Sequence, residues 1–250
     1  MLIRQLIVLL LIAPLAGAAD KPKPFLLHLP GIGGQRITEE WLLNGLKAGG
    51  LDAEYRVYDW TDGDIGLPAL LAYDANLARA RKISESLAER IRKIPDQRII
   101  VCSHSGGCGL AVWTLESLPD ELQIDSLVMI APALSPQYDL TRALRHVRGK
   151  LYVFSSPADI IVGAGTKVFG TIDGVKTEAA GLHGFECPAG ADKNQYAKLV
   201  PLPYRSEWFA LYGNAGTHIC PMRTAFARGF IAPLLLTGKI PQPTTRPAGN

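Results

Sequence analysis

Short apolar segments alternate with segments of helical periodicity along most of this 250-residue chain. Residues 98–102 form one such apolar segment, and apolar residues at helical spacing follow it from residue 106. Because parallel neighbouring strands need a crossover connection, usually a helix, this alternation predicts a mostly parallel sheet with helices on both faces. Ligands of such α/β folds bind at the carboxyl ends of the strands, so functional residues are expected in the loops that follow them.

The predicted elements fill most of the chain and leave one long irregular stretch. Strands are predicted at residues 25–29, 53–60, 98–102, 126–131, 150–154 and 198–202, and helices at 38–47, 76–93, 106–118, 140–147 and 222–236. The glycine-rich stretch from 159 to about 191 carries no predicted element. The length fits one domain, expected over residues 20–240 and followed by a flexible tail at 241–250.

The composition is that of a globular protein with a sizeable core. Hydrophobic residues make up 48% of the chain and charged residues 20%. The net charge is only +3, and no run of five like charges occurs. A nucleic-acid-binding protein would show a basic patch or stripe, so we expect no nucleic-acid partner and instead a small or weakly charged molecule.

The first 19 residues have the features of an export signal. Arg4 supplies a positive start, residues 6–13 are apolar, and Ala16-Gly17-Ala18 has the small-x-small form of a cleavage site. A membrane helix needs roughly 20 apolar residues, which is longer than this run; a retained anchor is the alternative. We therefore expect a cleaved signal peptide at 1–19, a secreted or periplasmic protein, and no stable membrane span after cleavage.

The chain contains four cysteines and no paired C-x-x-C motif, so a structural zinc site is not expected. Cys102 and Cys108 adjoin apolar segments and are expected to be buried. Cys187 and Cys220 lie in loops rich in glycine and proline, in a chain whose expected compartment permits disulfides. These two are the better candidates for a disulfide bond.

The segment 103–107, Ser-His-Ser-Gly-Gly, joins a predicted strand directly to a predicted helix. A serine in so tight a turn is pushed above the edge of the sheet, and its neighbours must be small because the backbone folds back on itself. The helix that follows offers free N–H groups to a developing negative charge. These features predict that Ser105 is a nucleophile; Ser103 is the fallback.

This segment resembles the nucleophile elbow G-x-S-x-G of the α/β-hydrolase superfamily, with Ser103 where the first glycine is usual. The resemblance covers roughly residues 24–236 and implies an α/β-hydrolase fold. Because few residues separate 131 from 150, no large cap domain is expected. The pocket walls are then expected from residues 60–73 and 163–190.

The resemblance also implies an oxyanion hole, which needs two backbone N–H donors. One donor follows the nucleophile and is the N–H of Gly106. The other lies in an early loop, here the glycine-rich segment 30–34, and is the N–H of Ile32 or, as an alternative, of Gly33. The superfamily often has His-Gly in this loop, where the present chain has Pro30-Gly31.

A serine hydroxyl needs a base, and the base needs an orienting carboxylate; the order in this superfamily is Ser, acid, His. Asp159 follows the strand at 150–154 and is the predicted acid, with Asp139 as the runner-up. Among five histidines, His218 has the expected position between the last strand and the last helix. His183, in the glycine-rich stretch, is its rival.

The sequence therefore predicts an exported serine hydrolase that cleaves carboxylic or acyl esters through an acyl-enzyme, with no cofactor and no metal. The expected partner is a small-molecule or lipid ester. Two alternatives remain: a lipase or acyltransferase acting on lipid, and an exported binding protein that kept the fold but lost catalysis.

Overall fold

A computed structural model describes residues 21–242, which form a single sheet of six parallel strands. The strands are β1 Phe25–Leu29, β2 Glu54–Val57, β3 Ile99–His104, β4 Ile124–Ile130, β5 Val147–Ser155 and β6 Leu199–Pro203. Their order across the sheet is β2-β1-β3-β4-β5-β6. The predicted parallel α/β class is confirmed, and all six predicted strands are present.

Eleven α-helices connect or flank these strands in the described residues. They are α1 Ile37–Ala48, α2 Leu67–Leu71, α3 Tyr73–Lys93, α4 Gly107–Glu116, α5 Thr141–Arg145, α6 Ile160–Phe169, α7 Ala180–His183, α8 Lys193–Tyr196, α9 Glu207–Tyr212, α10 Thr224–Phe226 and α11 Ala232–Thr237. A 3-10 turn, Cys220–Met222, precedes α10, and a π-helical turn, Ala227–Ile231, separates α10 from α11.

The sheet is covered on both faces, as predicted. Alternate residues of each strand point to opposite faces, so Leu27 and Val101 belong to the core beneath α3 and α4, whereas Leu26 and Ile100 belong to the core beneath α1 and the C-terminal helices. All six residues of β3 are buried. This two-sided burial explains why the strand reads as one continuous apolar run.

Two predicted elements differ from the structure. The predicted helix at 222–236 is interrupted, since Pro233 in the first turn of α11 has no N–H for the preceding turn. The glycine-rich stretch after 159 was predicted to lack regular structure, but it opens with α6. Asp159 caps this helix by accepting a hydrogen bond from Val162 N at 3.1 Å.

The connections agree with the absence of a large cap domain: α5 is the only helix between β4 and β5. No helix within residues 21–242 is long and apolar enough to cross a membrane. The predicted signal peptide, and the tail from 243 onward, lie outside the described residues.

The predicted disulfide is wrong for this structure, in which all four cysteines are free. Cys187 is exposed, whereas Cys220 is buried and its sulfur lies 3.0 Å from the Thr217 hydroxyl of the same loop. Shared placement in irregular loops does not by itself bring two sulfurs within bonding distance.

Candidate active site

Ser105 occupies the turn between β3 and α4 in a backbone conformation that side chains rarely adopt. Its φ is +53°, in the left-handed region. Three backbone hydrogen bonds fix it there: Ser105 N donates to Ile130 O at 2.9 Å, and Ser105 O accepts from Cys108 N at 3.1 Å and from Ala133 N at 3.2 Å. Strain of this kind persists only where the surrounding structure enforces it, and it is found most often at functional sites.

The small residues after Ser105 are required by close packing against the end of β1. A side chain at Gly107 would overlap the carbonyl oxygens of Leu29 and Pro30. A Cβ at Gly106 would lie 2.7 Å from the Ile32 side chain. The turn therefore stacks directly on the glycine-rich loop 30–34, which brings the two predicted oxyanion donors, at Ile32 and Gly106, next to each other.

Ser103, the fallback nucleophile, points into the core. Its hydroxyl donates to Val128 O at 3.1 Å, and the residue has no exposed surface. Ser105 lies beyond the end of β3, where its left-handed backbone turns the chain away from the direction of the strand. Ser103 is thus a packed core residue without access to a substrate.

His218 and Asp159 form a buried pair. His218 Nδ1 lies 2.7 Å from Asp159 Oδ2, and the two residues are 8% and 1% exposed. Gly216, two residues before His218, has no room for a side chain, because a Cβ there would lie 2.7 Å from the Ser156 hydroxyl. Asn214 Oδ1 accepts from Gly216 N at 2.9 Å and holds this turn. The sequence Asn-x-Gly is the signal that could have marked this turn in advance.

Ser105 and His218 line one open pocket of about 330 Å³ at the carboxyl ends of the strands. No hydrogen bond joins their side chains in the part of the chain that the structure describes; such bonds often tighten only with substrate bound. The lining residues are Gly31, Ile32, Gly33, Gly34, Arg36, Thr38, Glu39, His104, Ser105, Ile161, His218 and Ile219.

The pocket walls differ from the prediction. Neither 60–73 nor 163–190 supplies a lining residue; the start of α1, the first turn of α6 and Ile219 do so instead. Trp60 acts from behind the pocket, where its indole N–H donates to Pro30 O at 2.7 Å and anchors the glycine-rich loop. Residues 163–190 pack beside the pocket without lining it, and the Ile172 side chain would lie 3.5 Å from a Cβ at Gly106.

The N–H groups predicted to form the oxyanion hole have no backbone acceptor in the described part of the chain. Among residues 21–242, neither Ile32 N nor Gly106 N donates to a backbone carbonyl. Gly34 adopts a φ of +69°, and Asp59 Oδ2 accepts from the next N–H, that of Gln35, at 2.9 Å. Asp59 was not singled out in the sequence, and its contact across 24 residues leaves no local signal.

The runner-up residues lie away from the pocket. Asp139 accepts a hydrogen bond from Thr141 N at 2.9 Å on the surface, and this bonding lowers the pKa of its carboxyl. His183 is exposed, with its Nε2 3.9 Å from Glu178. His146 is buried elsewhere, against Leu122 O.

Two further histidines, neither of them a predicted site residue, are buried near this site. His28 is fully buried in β1, and this burial lowers the pKa of its imidazole to about 4. Burial also lowers the pKa of His104 well below its usual value, with a smaller contribution from His218. His28 lies in a predicted strand and His104 in the turn 103–107, and neither position marks a buried histidine in advance. Within 21–242, no group of three or more His, Cys, Asp or Glu side chains is arranged to hold a metal ion.

Neither a protein-family profile nor a curated protein sequence matches the chain significantly. Solved structures do resemble it. Lipase B of Aspergillus fumigatus superposes with a TM-score of 0.53 at 13% identity, over 90% of this chain and 55% of that one. The chain thus spans about half the length of that lipase.

Two more distant structures show lower scores. Est1E of Butyrivibrio proteoclasticus has a TM-score of 0.44 at 12% identity, over 87% of this chain and 90% of that one. The N-formylmaleamic acid deformylase of Pseudomonas putida has a TM-score of 0.47 at 11% identity, over 83% of this chain and 91% of that one. At 13% identity, the likeness to the lipase is one of fold alone.

Proposed function

We propose that this chain, which has the α/β-hydrolase fold, is a serine hydrolase that cleaves carboxylic or acyl esters. The observation that carries the proposal is the buried His218–Asp159 hydrogen bond of 2.7 Å beside the pocket that contains the strained Ser105. A nucleophile, a base oriented by a carboxylate and free N–H donors are the parts that acyl transfer requires.

In the proposed reaction, His218 Nε2 takes the proton of the Ser105 hydroxyl as the oxygen attacks the ester carbonyl carbon. The carbonyl electrons move to oxygen, and the N–H groups of Ile32 and Gly106 stabilise this oxyanion together with the N-terminus of α4. Asp159 accepts the Nδ1 hydrogen of His218, which leaves Nε2 free to act as the base.

Collapse of the tetrahedral intermediate breaks the ester bond and expels the alcohol, which takes the proton from His218. An acyl group then remains bonded to Ser105. Water, deprotonated by His218, attacks this acyl carbon and releases the carboxylic acid, and the proton returns to Ser105. Each half of the cycle therefore uses the same base and the same oxyanion donors.

The residues that line the pocket support an ester substrate with one apolar part and one polar part. Ile161 and Ile219 are exposed apolar side chains next to His218, and they suit an acyl chain. Arg36, Thr38 and Glu39 also line the pocket and suit a polar group. Ile160, 76% exposed on the same turn as Ile161, favours lipid esters as a second candidate substrate class.

We further propose export to the periplasm or medium, on the pattern of residues 1–19. N-terminal sequencing of the protein recovered from the periplasm of its host tests this, and a start near residue 20 is expected. Recovery in the cytoplasm with Met1 retained would contradict export.

Hydrolysis of p-nitrophenyl esters of increasing acyl length tests the proposed activity. We expect the wild-type protein to release p-nitrophenol from at least one ester and Ser105→Ala to release none above background. Asp139→Ala is the matched control, since Asp139 is a surface carboxylate outside the pocket. No turnover by folded wild-type protein on any ester or lipid would favour a binding protein.

A further inference from the structure

His104 contacts both the main chain and the ring of His218. Its Nε2 lies 3.3 Å from the His218 carbonyl oxygen, and the two ring centroids are 4.7 Å apart at an interplanar angle of 45°. His104 also borders the glycine-rich loop, since a Cβ at Gly31 would lie 3.2 Å from its Nδ1. The His104 side chain, which belongs to the turn 103–107, thus lies next to both the glycine-rich loop 30–34 and His218.

The protonation state of His104 follows from its partners. A carbonyl oxygen can only accept a hydrogen bond, so Nε2 must carry the hydrogen in this contact. Nδ1 then holds the lone pair, and it is buried with no hydrogen-bond partner among the described residues. Burial lowers the pKa of this imidazole, which therefore remains neutral beside His218.

A buried polar atom without a partner lowers stability, and an apolar side chain of similar size would avoid that loss. His104 is 6% exposed and carries such an atom, so its imidazole is not explained by packing alone. What the imidazole adds over a leucine is the hydrogen bond to the His218 carbonyl.

We propose that His104 is a positioning residue: it fixes the main chain of His218 through the Nε2–H···O=C hydrogen bond and so aims the base at Ser105. The inference rests on the proposed function. Asp159 holds one side of the His218 ring, while His104 holds its main chain and packs against the ring. A misplacement of about 1 Å can lower a rate roughly 100-fold, so a second restraint has a measurable effect.

The test compares the rate constant for labelling by a fluorophosphonate probe in four proteins. They are the wild type, His104→Leu, which removes the donor, His104→Gln, whose amide restores it, and His146→Leu. His146 is the matched control, because it is also a buried histidine bonded to a backbone carbonyl, Leu122 O at 2.8 Å, away from the pocket. Rates are expressed per folded molecule, with the folded fraction taken from circular dichroism.

We expect labelling of His104→Leu to be slower by roughly 10- to 100-fold. The labelling rate of His104→Gln should lie within about threefold of the wild-type rate, because the glutamine amide again donates to the His218 carbonyl. His146→Leu should label at the wild-type rate even if its melting temperature falls. With an ester substrate, the loss in His104→Leu should be in kcat and not in KM, since the residue holds the base.

The inference would be overturned if His104→Leu were labelled at the wild-type rate, or if His104→Gln were labelled no faster than His104→Leu. The proposed function would stand in either case. Absent labelling of the wild type would instead overturn the proposed function. If His104→Leu does not fold, nitrogen NMR of the wild-type imidazoles decides the matter. Nε2 of His104 should carry the hydrogen near neutral pH; a hydrogen on Nδ1 alone would exclude the bond.

Discussion

The imidazole of His218 and the carboxylate of Asp159 are joined by a buried hydrogen bond of 2.7 Å, although 59 residues separate them in the chain. Asp159 lies just after β5 and uses its second oxygen to cap α6 through Val162 N. The same carboxylate therefore orients the histidine and fixes the helix whose first turn lines the pocket. Loss of this carboxylate should affect both the base and the pocket wall.

The roles of this pair predict a graded loss of activity. His218→Ala should abolish ester hydrolysis almost as fully as Ser105→Ala, because residues of such a triad act as a unit. Asp159→Asn should lower kcat by roughly 10⁴-fold, since it favours the wrong tautomer of the imidazole. The double variant should be little worse than His218→Ala alone. Steady-state kinetics of the purified variants provide the measurement.

His183→Ala serves as the control for this series. His183 is exposed and lies beside Glu178, outside the pocket. Its activity should match that of the wild type. An essential His183 together with a dispensable His218 would show that the base has been assigned to the wrong loop.

The left-handed backbone of Ser105 predicts that a non-glycine residue at this position lowers the free energy of unfolding. Glycine adopts a φ of +53° without steric conflict, whereas alanine does not. Both Ser105→Gly and Ser105→Ala should be inactive, but the glycine variant should be more stable than the alanine variant by about 1 kcal/mol. Urea unfolding of the two variants measures the difference, and equal stabilities would argue against strain at the elbow.

The apolar residues of the pocket predict that activity depends on the length of the acyl chain. Substitution of Ile161, but not of its neighbour Ile160, should change this dependence. Ile161 lines the pocket, whereas Ile160, equally apolar and also exposed, does not. Ile161→Ser should lower kcat/KM for long acyl esters by roughly tenfold and leave acetate esters nearly unchanged. Ile160→Ser should change neither. Equal effects of the two substitutions would indicate a general surface effect instead of a specific wall.

Glu116 predicts a pH dependence of stability away from the active site. Its carboxyl is half-buried and accepts a hydrogen bond from the Tyr138 hydroxyl at 3.0 Å. Burial raises its pKa from 4.5 to about 7. Between these values the native state holds a proton that the unfolded state has released, so the free energy of unfolding falls as pH rises through this window and stays lower above it.

Glu116→Gln removes this titration while it keeps an oxygen for Tyr138. The variant should be more stable than the wild type at about pH 8 and similar to it at about pH 5, where the wild-type carboxyl is protonated. Urea unfolding at the two pH values tests this. If the free energies of unfolding of variant and wild type differed by the same amount at both pH values, ionisation of Glu116 would not be the cause.

Much of the fold followed from local patterns. The strand β1 and the elbow 103–107 could be predicted because burial on both faces and a forced small-residue turn leave local marks in the sequence. The helix α6 could not, because glycines lower helix propensity while its cap, Asp159, also suited a catalytic assignment. Where loops pack, as with Cys187 and Cys220, depends on contacts between distant segments.

The same limit applies to the pocket. The resemblance predicted catalytic roles for Ser105, Asp159 and His218, and in the structure His218 bonds to Asp159 and lines the same pocket as Ser105. The contact between His104 and the His218 carbonyl spans 114 residues and involves a main-chain atom. No sequence pattern specifies such a contact, so His104 could not be singled out from the sequence.

The most direct test of the central claim is to map the site of fluorophosphonate attachment by peptide mass spectrometry. An activated serine attacks the phosphorus and displaces fluoride, which leaves a covalent phosphonyl ester on its oxygen. We predict one adduct on the wild-type protein, on the peptide that contains Ser105, and none on folded Ser105→Ala. An adduct on another residue, or no adduct on folded wild-type protein, would contradict the assignment of Ser105 as the nucleophile.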